Sequence, residues 1–317
     1  MRSDSQPWLA ECSDAAVRAA LRSVAPELSG YPLAVPDPAG RGAPLYWKAS
    51  AALGEEFFVK FAWSRPATRG LAREIGVLSV LAGTVPFLPE VVASGHDPLL
   101  MVTRRVPGRP LFAVAGRIDR DRAGRQIADF LAALHQPSSL SRAEAAVGAI
   151  SGIQFPPDTT DVLRERAGTW VRPDQRRLVR RWCDWAAGVM SVPGPTVLVH
   201  GDLHGDNQVW DKGQLKAVVD FESVGAAEPE YDLRALPGPA MGPGVELLAA
   251  VMRHYDRITG RRLSPEKVMA WHLRTALHDV LWRSEAGLPL PDHRTPPEWV
   301  DDLSARFAAL GIHPDQG

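Results

Sequence analysis

The sequence contains little of several residue types, and each scarcity excludes a class of protein. Its 317 residues include two cysteines, Cys12 and Cys183, which are too few for the disulfide framework of a small secreted domain. No apolar run approaches the roughly 18 residues that a membrane-spanning helix needs. The formal net charge of -1 provides no overall field that would attract nucleic acid or an anionic membrane. We therefore expect neither a nucleic-acid partner nor a membrane partner.

The amino-terminal segment and the bulk composition indicate a cytoplasmic location. Residues 1–11 contain one arginine and no long apolar core, so they lack the pattern of a signal peptide. With 45% apolar and 23% charged residues, the composition is that of an ordinary globular protein. The length allows one two-lobed unit or two domains, and we expect a monomer or a weak dimer.

Asparagine and lysine are also rare, and their positions are informative for that reason. Asparagine occurs once, at Asn207, and only five of the 36 basic residues are lysine. In a chain that otherwise uses arginine, a retained lysine suits a site that needs a compact point charge. Asn207 and Lys60 are therefore candidates for positions at which the chemistry requires that side chain.

Asn207 ends a stretch that is rich in acids and histidines: His200-Gly201-Asp202-Leu203-His204-Gly205-Asp206-Asn207. The apolar runs on either side, 196–199 and 215–219, predict short buried strands, and Asp220 follows the second run. Two carboxylates and an amide oxygen are the base and the hard ligands that Mg²⁺-dependent phosphoryl transfer needs. Their order matches that of the protein-kinase catalytic and metal loops. It predicts Asp202 as the base, and Asn207 and Asp220 as Mg²⁺ ligands.

This stretch, together with Val219-Asp220-Phe221, resembles the aminoglycoside phosphotransferase family. The family pattern of His-Gly-Asp-Leu-His, two variable residues and Asn is met in full. The segment 228–233 resembles the family's Asp-Pro-x-x-Asp-Leu, with Glu228 in place of the first Asp. Glu222 stands where protein kinases carry the glycine of Asp-Phe-Gly.

The resemblance implies an α+β, protein-kinase-like two-lobed fold. The amino-terminal lobe would hold an antiparallel sheet with one helix, and the larger carboxy-terminal lobe would be mainly helical. The implied activity is transfer of phosphate to a small-molecule hydroxyl, with ATP and Mg²⁺ as cofactors and GTP as the alternative nucleotide.

Two elements of the amino-terminal half are expected to bind the nucleotide. Lys60 lies near the end of an apolar strand, as the phosphate-binding lysine of a kinase does. Glu74 lies on a predicted helix over 67–81 and is the expected ion-pair partner of that lysine. Gly40 and Gly42 lie in a turn that either approaches the phosphates or serves as an ordinary hairpin.

A proline–glycine break predicts the boundary between the two lobes. Two apolar runs before it predict the last strands of the amino-terminal sheet, and mainly helical patterns follow it. Backbone groups near this boundary, at Met101 and Thr103, are expected to bind the adenine edge. The predicted division is a nucleotide-binding lobe at 1–102, a hinge at 103–107, and a catalytic and substrate-binding lobe at 108–317.

The acceptor is expected in the carboxy-terminal lobe. The segment 220–232 contains five acids and no base, and such an acidic mouth would attract a cationic substrate. Candidate contacts are Glu222 in this segment, and Asp279 and Glu285 on a helix predicted over 265–286. The resemblance implies an aminoglycoside or another hydroxyl-bearing antibiotic. A metabolite such as a sugar, choline or homoserine is the alternative.

Other interpretations remain open at this stage. The chain could be a nucleotide-binding pseudokinase without activity, an interpretation that only the weak glycine-rich turn supports. The histidines and carboxylates of 200–206, together with Asp220, could instead form a Zn²⁺ or Fe²⁺ hydrolase site, although their spacing is not that of His-Glu-x-x-His. Elsewhere, the pattern predicts a loop at 137–160, a helical stretch at 161–190 that Pro173 breaks, and a helix at 245–259.

Overall fold

The structure, a computed structural model, describes residues 7–35, 49–153, 155–238, 244–290 and 293–314. Its strands are β1 (Leu33–Ala34), β2 (Ala49–Leu53), β3 (Phe57–Phe61), β4 (Val91–His96), β5 (Leu99–Arg104), β6 (Arg109–Pro110), β7 (Val197–Val199), β8 (Gln208–Asp211), β9 (Gln214–Val218) and β10 (Gly225–Ala227). Its helices are α1 (Asp14–Val24), α2 (Arg65–Leu81), α3 (Leu111–Val114), α4 (Arg120–Leu134), α5 (Pro137–Val147), α6 (Thr160–Ala167), α7 (Pro173–Met190), α8 (Val245–Thr259), α9 (Pro265–Glu285) and α10 (Pro296–Ala309). Within these ranges, no helix is both long enough and apolar enough to cross a membrane.

The amino-terminal half is built on an antiparallel sheet with the strand order β1-β2-β3-β5-β4. Val59 and Phe61 of β3 are buried in the core that the sheet shares with α1. Side chains alternate between the two faces of a strand, so Lys60 points to the opposite face. Met101 of β5 lies directly across from Lys60 and is buried in the core that contains α2. The register of β3 and β5 therefore turns Lys60 towards α2.

Helix α2 covers that second face and carries Glu74. The hydroxyl of Ser64 caps its amino terminus by accepting the N–H of Ala67 at 3.4 Å. Leu71, Ile75 and other apolar residues at helical spacing pack in the core. Glu74 lies beside this stripe and is fully buried. The predicted helix over 67–81 is confirmed, and packing of its apolar face brings a carboxylate to the inner side of the sheet.

The carboxy-terminal half is mainly helical and has two apolar cores. Helices α4 and α8 pack closely because Gly124 has no side chain: a Cβ there would lie 2.6 Å from the Cβ of Ala250. A second core joins α7, α9 and α10, with the rings of Trp182 and Phe307 5.3 Å apart. The break predicted at Pro173 is confirmed, since α6 ends at Ala167 and α7 begins at Pro173.

Two short sheets hold the acid- and histidine-rich stretch. Strand β7 precedes it and pairs with β10, whereas β8 and β9 follow it and pair with each other. Both predicted strands are present, but they are not partners. An apolar run specifies burial on a strand and does not specify which strand lies beside it.

The structure of the carboxy-terminal half differs from the prediction at two helices. The stretch 137–160, predicted as a loop, begins with α5, because Pro137 occupies the first turn of a helix, where it costs no hydrogen bond. Helix α10 was not predicted at all. Its start is a capping box in which Thr295 and Glu298 satisfy each other's backbone N–H groups.

The chain crosses between its two halves after β5. That strand ends at Arg104, and the next strand, β6, pairs with β8 of the second half. The predicted hinge at 103–107 covers this crossing. The division into lobes at that point stays a prediction.

Candidate active site

The buried carboxylate of Asp232 holds the stretch 200–207 in place. Its two oxygens accept the backbone N–H groups of His200 and Gly201, each at 2.9 Å. His135, at the end of α4, lies 3.2 Å from the same carboxylate. Burial alone would raise the pKa of Asp232, but the bonds and charge from His135 and the N–H of Gly201 outweigh it and lower the pKa. Asp232 therefore braces the loop that carries Asp202.

Gly201 permits the tight turn that follows β7. Its φ angle is +83°, a conformation that side chains rarely adopt. A Cβ at this position would collide with the carbonyl oxygen of Ser223. The turn therefore requires glycine both for its backbone angle and for the close approach of a neighbouring chain segment.

His200 has a structural role. Its Nε2–H donates to the carbonyl oxygen of Val219 at 2.9 Å, and its Nδ1 accepts the N–H of Asp202 at 3.2 Å. Burial lowers the pKa of this imidazole, which is therefore neutral at pH 7. Because both ring nitrogens are engaged, His200 has no lone pair for a metal, which counts against the hydrolase interpretation.

Asp202, Asn207 and His204 form one compact group. The amide nitrogen of Asn207 donates to the backbone oxygen of Asp202 at 2.8 Å and lies 3.3 Å from its Oδ2. Nε2 of His204 lies 3.4 Å from the same Oδ2. The Asp202 side chain remains 43% exposed, so a substrate can reach it.

The pKa of Asp202 is lowered, and the pKa of His204 is raised. Burial would raise the pKa of Asp202, but the bond and charge of His204, with the charge of Arg234, lower it. Burial would lower the pKa of His204, but Asp202 and Asp206 raise it. Asp202 is therefore a carboxylate at neutral pH.

Lys60 joins the sheet to the segment that follows β9. Its Nζ lies 2.6 Å from Oε1 of Glu74 and 2.6 Å from Oδ1 of Asp220. Oε1 of Glu74 also accepts the N–H of Phe221 at 3.4 Å. Asp220 itself is in the left-handed conformation, with φ 67° and ψ 62°, which is uncommon for a residue other than glycine. The surrounding contacts hold this strained residue with its carboxylate at Lys60.

The donor atoms in this region suit a magnesium ion. Asp220 offers carboxylate oxygens, and Asn207 uses its amide nitrogen on Asp202, which leaves its amide oxygen for a cation. Val219, next to Asp220, donates its N–H to the backbone oxygen of Asn207 at 2.9 Å. The two oxygen donors therefore belong to segments that are bonded together, and hard oxygen ligands are those that Mg²⁺ prefers. In the described part of the chain, no three His, Cys, Asp or Glu side chains are grouped as a metal site.

Four other residues are predicted to bind the nucleotide, and the structure describes two of them, Met101 and Thr103. Met101 is fully buried, and Thr103 is nearly so. Both lie on β5, a central strand whose backbone N–H and C=O groups are hydrogen-bonded to β3 and β4. These two residues can border a nucleotide, but free main-chain groups must come from beyond the paired part of β5. Gly40 and Gly42 lie outside the described residues.

A cavity of about 270 Å³ begins at Asp202 and extends between α9 and α10. Asp279 lines it, as expected of an acceptor contact, but its carboxylate lies 2.9 Å from Nε of Arg283. Glu285 and Glu222 do not line it. Glu285 binds both Nε and Nη2 of Arg166, at 3.0 and 2.7 Å, and Glu222 packs beside Gly70 of α2. Of the three predicted acceptor contacts, only Asp279 is in position.

The predicted acidic mouth is wrong. Glu228 binds Lys267 at 2.6 Å, Glu230 is buried and accepts the N–H of Ser264 at 3.1 Å, and Asp232 lies under the loop. A carboxylate count along the sequence omits the partners that other segments supply, and these partners cancel the charge.

Several residues of the site were missed from the sequence. His135 and Phe155 reach it from distant segments, and no local pattern marks either one. Arg234 could have been suspected, because it directly follows the Asp-Leu pair of the family-like segment. Its Nη2 donates to the carbonyl oxygen of Gly201 at 2.8 Å, so it also fixes the turn before Asp202.

Comparison with known proteins identifies the relatives of this chain. Residues 34–281 match the model of the phosphotransferase enzyme family. Viomycin phosphotransferase of Streptomyces vinaceus is 29% identical over 214 residues, which cover 63% of this chain and 72% of that protein. The range that matches the family model, 34–281, contains Lys60, Glu74, Asp202, Asn207 and Asp220.

Solved structures with a similar fold include antibiotic-modifying phosphotransferases. The GDP and kanamycin complex of APH(2")-IIia is 18% identical, covers 93% of this chain and 97% of that chain, and has a TM-score of 0.64. Macrolide 2'-phosphotransferase MphH from Brachybacterium faecium is 21% identical, covers 87% of this chain and 94% of that chain, and has a TM-score of 0.57. These likenesses confirm the predicted α+β, protein-kinase-like fold.

Proposed function

The chain belongs to the phosphotransferase enzyme family, and from this premise we propose that it transfers the γ-phosphate of ATP to a hydroxyl group of a small molecule. One observation carries this proposal. Asp202 lines a ligand-sized cavity, and the loop that holds it is bonded through Val219 to the segment of Asp220, which Lys60 contacts. A base for an acceptor and a phosphate-binding group are thereby fixed relative to each other.

The residues have distinct roles in this proposal. The Asp202 carboxylate accepts a hydrogen bond from the acceptor hydroxyl, orients its oxygen towards the γ-phosphorus, and takes the proton as the new P–O bond forms. The bond from the γ-phosphorus to ADP breaks in the same displacement. Lys60 neutralises phosphate charge, and Glu74 holds its ammonium in place.

Magnesium fits the oxygen donors of Asn207 and Asp220, and when bound it supplies charge neutralisation on the phosphates. Transfer is direct in this scheme. Neither histidine next to Asp202 serves as a covalent relay in this scheme, because both ring nitrogens of His200 are bonded to main-chain groups and Nε2 of His204 faces the Asp202 carboxylate.

The nucleotide and the acceptor class follow from likeness to relatives. Similar proteins have been solved as complexes with GDP, ATP or ADP, so we propose a purine nucleotide, with ATP first and GTP as the alternative. Named relatives act on viomycin or macrolides, so a hydroxyl-bearing antibiotic is the first acceptor class to test. A metabolite hydroxyl is the second.

Two measurements test the proposal. Thermal unfolding is followed with ATP and with GTP, each with and without Mg²⁺. A nucleotide present at 100 times its Kd should increase the free energy of unfolding by about 2.7 kcal/mol. ADP release is then followed with a panel of antibiotics and metabolites. Acceptor-dependent ADP release is the expected result. Stabilisation by nucleotide without turnover of any acceptor would indicate a pseudokinase, and stabilisation by Zn²⁺ alone would favour the hydrolase interpretation.

A variant and its matched control test the role of Asp202. We expect Asp202→Ala to lower kcat by a factor of about 10²–10⁴, the usual range for a lost general base, while Mg·ATP binding is kept. Asp206→Ala removes the same charge from the same loop at an exposed position and should retain turnover. Equal loss of turnover in both variants, or loss of ATP binding in Asp202→Ala, contradicts the assignment.

A further inference from the structure

His204 lies beside the proposed base, but the transfer described above gives it no role of its own. It belongs to the loop between β7 and β8, and its side chain is 21% exposed. His204 and Asp202 both line the cavity of about 270 Å³. The ring is therefore close to the base and to the space for an acceptor, and its hydrogen-bond pattern decides what it does there.

The backbone of the loop determines which ring nitrogen of His204 carries a hydrogen. The N–H of Asp206 donates to Nδ1 of His204 at 3.2 Å. An N–H group can donate only to a nitrogen that offers a lone pair, so the hydrogen of the neutral ring lies on Nε2. A positively charged ring also carries a hydrogen on Nε2. Nε2 is therefore a donor in either charge state.

This donor faces the carboxylate of the base. Nε2 of His204 lies 3.4 Å from Oδ2 of Asp202, and the amide nitrogen of Asn207 lies 3.3 Å from the same oxygen. The amide nitrogen and Nε2 are themselves 3.4 Å apart, but two nitrogens that both carry hydrogens and lack a free lone pair do not bond to each other. Both donors are therefore directed at Oδ2, the oxygen that they share.

The other carboxylate oxygen of Asp202 is left for a substrate. Within the described part of the chain, no donor is hydrogen-bonded to Oδ1, and the side chain is 43% exposed at the wall of the cavity. Rotation of the carboxylate would move Oδ2 away from both of its donors. The two contacts therefore restrict the carboxylate to an orientation in which Oδ1 is the oxygen that can accept a further hydrogen bond.

We propose that His204 is a positioning residue for the base: its Nε2–H, together with the amide of Asn207, holds Oδ2 of Asp202, so that Oδ1 receives the acceptor hydroxyl. This inference rests on the proposed phosphotransfer and adds a residue and an orientation to it. The hydroxyl proton passes to Oδ1 as the P–O bond forms, and His204 neither takes a proton nor bonds to phosphorus. A misplacement of about 1 Å in such a group can lower the rate about 10²-fold.

The ring tautomer is tested first, because it is read without nucleotide or acceptor. The histidines of the full chain are labelled with the heavy nitrogen isotope, and couplings between ring protons and ring nitrogens are recorded by NMR at about pH 8.5, above the ordinary pKa of histidine. The signals of His204 are those that disappear in His204→Gln. We expect the hydrogen on Nε2 in the wild type and also in Asp206→Ala, which keeps the backbone N–H. A hydrogen on Nδ1 in the wild type overturns the inference.

Two substitutions of similar shape then separate the donor from the volume of the side chain. Glutamine can place an amide N–H near the position of Nε2, whereas methionine has the same length and no donor. ADP release is followed with the acceptor of the antibiotic and metabolite panel that reacts fastest. We expect His204→Met to lower kcat about 10²-fold while the Kd of Mg·ATP changes less than about twofold, and His204→Gln to regain at least about tenfold in kcat. Wild-type kcat in His204→Met, or equal losses in the two variants, overturns the inference.

Two controls distinguish positioning from a general structural effect. His96→Met replaces an exposed histidine at the end of β4 that does not line the cavity, and it should leave kcat unchanged. His204→Met is also made in the Asp202→Ala background, where it should lower kcat by less than about twofold, because residues that act as a unit are not additive. A further large loss in that background would show that His204 acts through the fold of the loop, and the inference fails.

The measurements separate this inference from the proposed phosphotransfer. If His204 carries its hydrogen on Nε2 but no acceptor releases ADP, the phosphotransfer fails and the orientation of the Asp202 carboxylate stands. If ADP is released and His204→Met turns over like the wild type, the phosphotransfer stands and this inference fails.

Discussion

The carboxylate of Asp232 accepts the backbone N–H of Gly201 at 2.9 Å, across 31 residues of sequence. The same carboxylate accepts the N–H of His200 at 2.9 Å with its other oxygen. One buried side chain thus fixes two successive peptide groups immediately before Asp202. The position of the proposed base therefore depends on a carboxylate from outside the loop.

Replacement of Asp232 should show that dependence. In Asp232→Asn, one backbone N–H would face an amide nitrogen instead of an oxygen, and an unsatisfied buried donor costs about 1–3 kcal/mol. We expect the free energy of unfolding in urea to fall by that amount. Asp206→Asn, an exposed substitution in the same loop, should change it by less than about 0.5 kcal/mol. Equal losses in the two variants would contradict the bracing role.

The same carboxylate predicts a dependence of stability on pH. The pKa of Asp232 in the folded chain lies below its ordinary value of 3.8, because bonds from His135 and Gly201 outweigh the cost of burial. Its stabilising effect is therefore complete above about pH 3.8 and is lost as pH falls through the lower, folded value. The stability difference between wild type and Asp232→Asn should be constant from pH 7 to 5. It should shrink as the pH falls below about 3.8. A difference that stays constant down to pH 3 would contradict the shift.

The contact of Lys60 with Glu74 should be strongly coupled. Glu74 is fully buried, so removal of Lys60 leaves a buried carboxylate without this partner, and breaking such a pair costs about 3–5 kcal/mol. We expect Lys60→Met and Glu74→Gln each to destabilise, and the double variant to lose less than their sum by about 1 kcal/mol or more. The control is the exposed pair Arg104–Glu90, whose cycle should give less than about 1 kcal/mol. Similar coupling energies in the two cycles would argue against a special role of burial.

The turn at Gly201 should tolerate no side chain. Gly201→Ala combines a left-handed φ with a collision against Ser223, so we expect a loss of more than about 2 kcal/mol. Gly188→Ala is the matched control: it lies in α7, and a Cβ there meets nothing within 4 Å. That variant should be stabilised by about 0.5–1 kcal/mol, because alanine favours helix. Thermal unfolding measures both, and a neutral Gly201→Ala would show that the turn can rearrange.

The sequence allowed the nucleotide side of the site to be predicted because its parts are local patterns in a fixed order. Lys60 ends an apolar strand, Glu74 lies on the next helix, and Asn207 follows Asp202 by five residues. Strand and helix periodicity then place Lys60 and Glu74 on facing surfaces, and the structure has them 2.6 Å apart.

The acceptor side could not be predicted in the same way, because its properties are set by contacts between distant segments. Glu285 appeared to be a candidate contact, but Arg166, 119 residues earlier, binds both of its oxygens. His135 and Asp232 meet across 97 residues. Spacing along a chain records which residues share a helix face or a loop, and it does not record which charges cancel once the helices pack.

Five residues that line the cavity beside Asp202 lie beyond residue 281, where the match to the family model ends. Arg283, Leu290, Arg294, Trp299 and Arg306 line the cavity but belong to this last part of the chain. The proposed transfer machinery lies entirely inside the matched range. If the cavity holds the acceptor as proposed, changes in α10 and the segment before it would alter the preferred compound while the groups around Lys60, Asp202 and Asp220 are left alone. Exchange of residues 282–314 between homologous enzymes offers a direct route to engineered specificity.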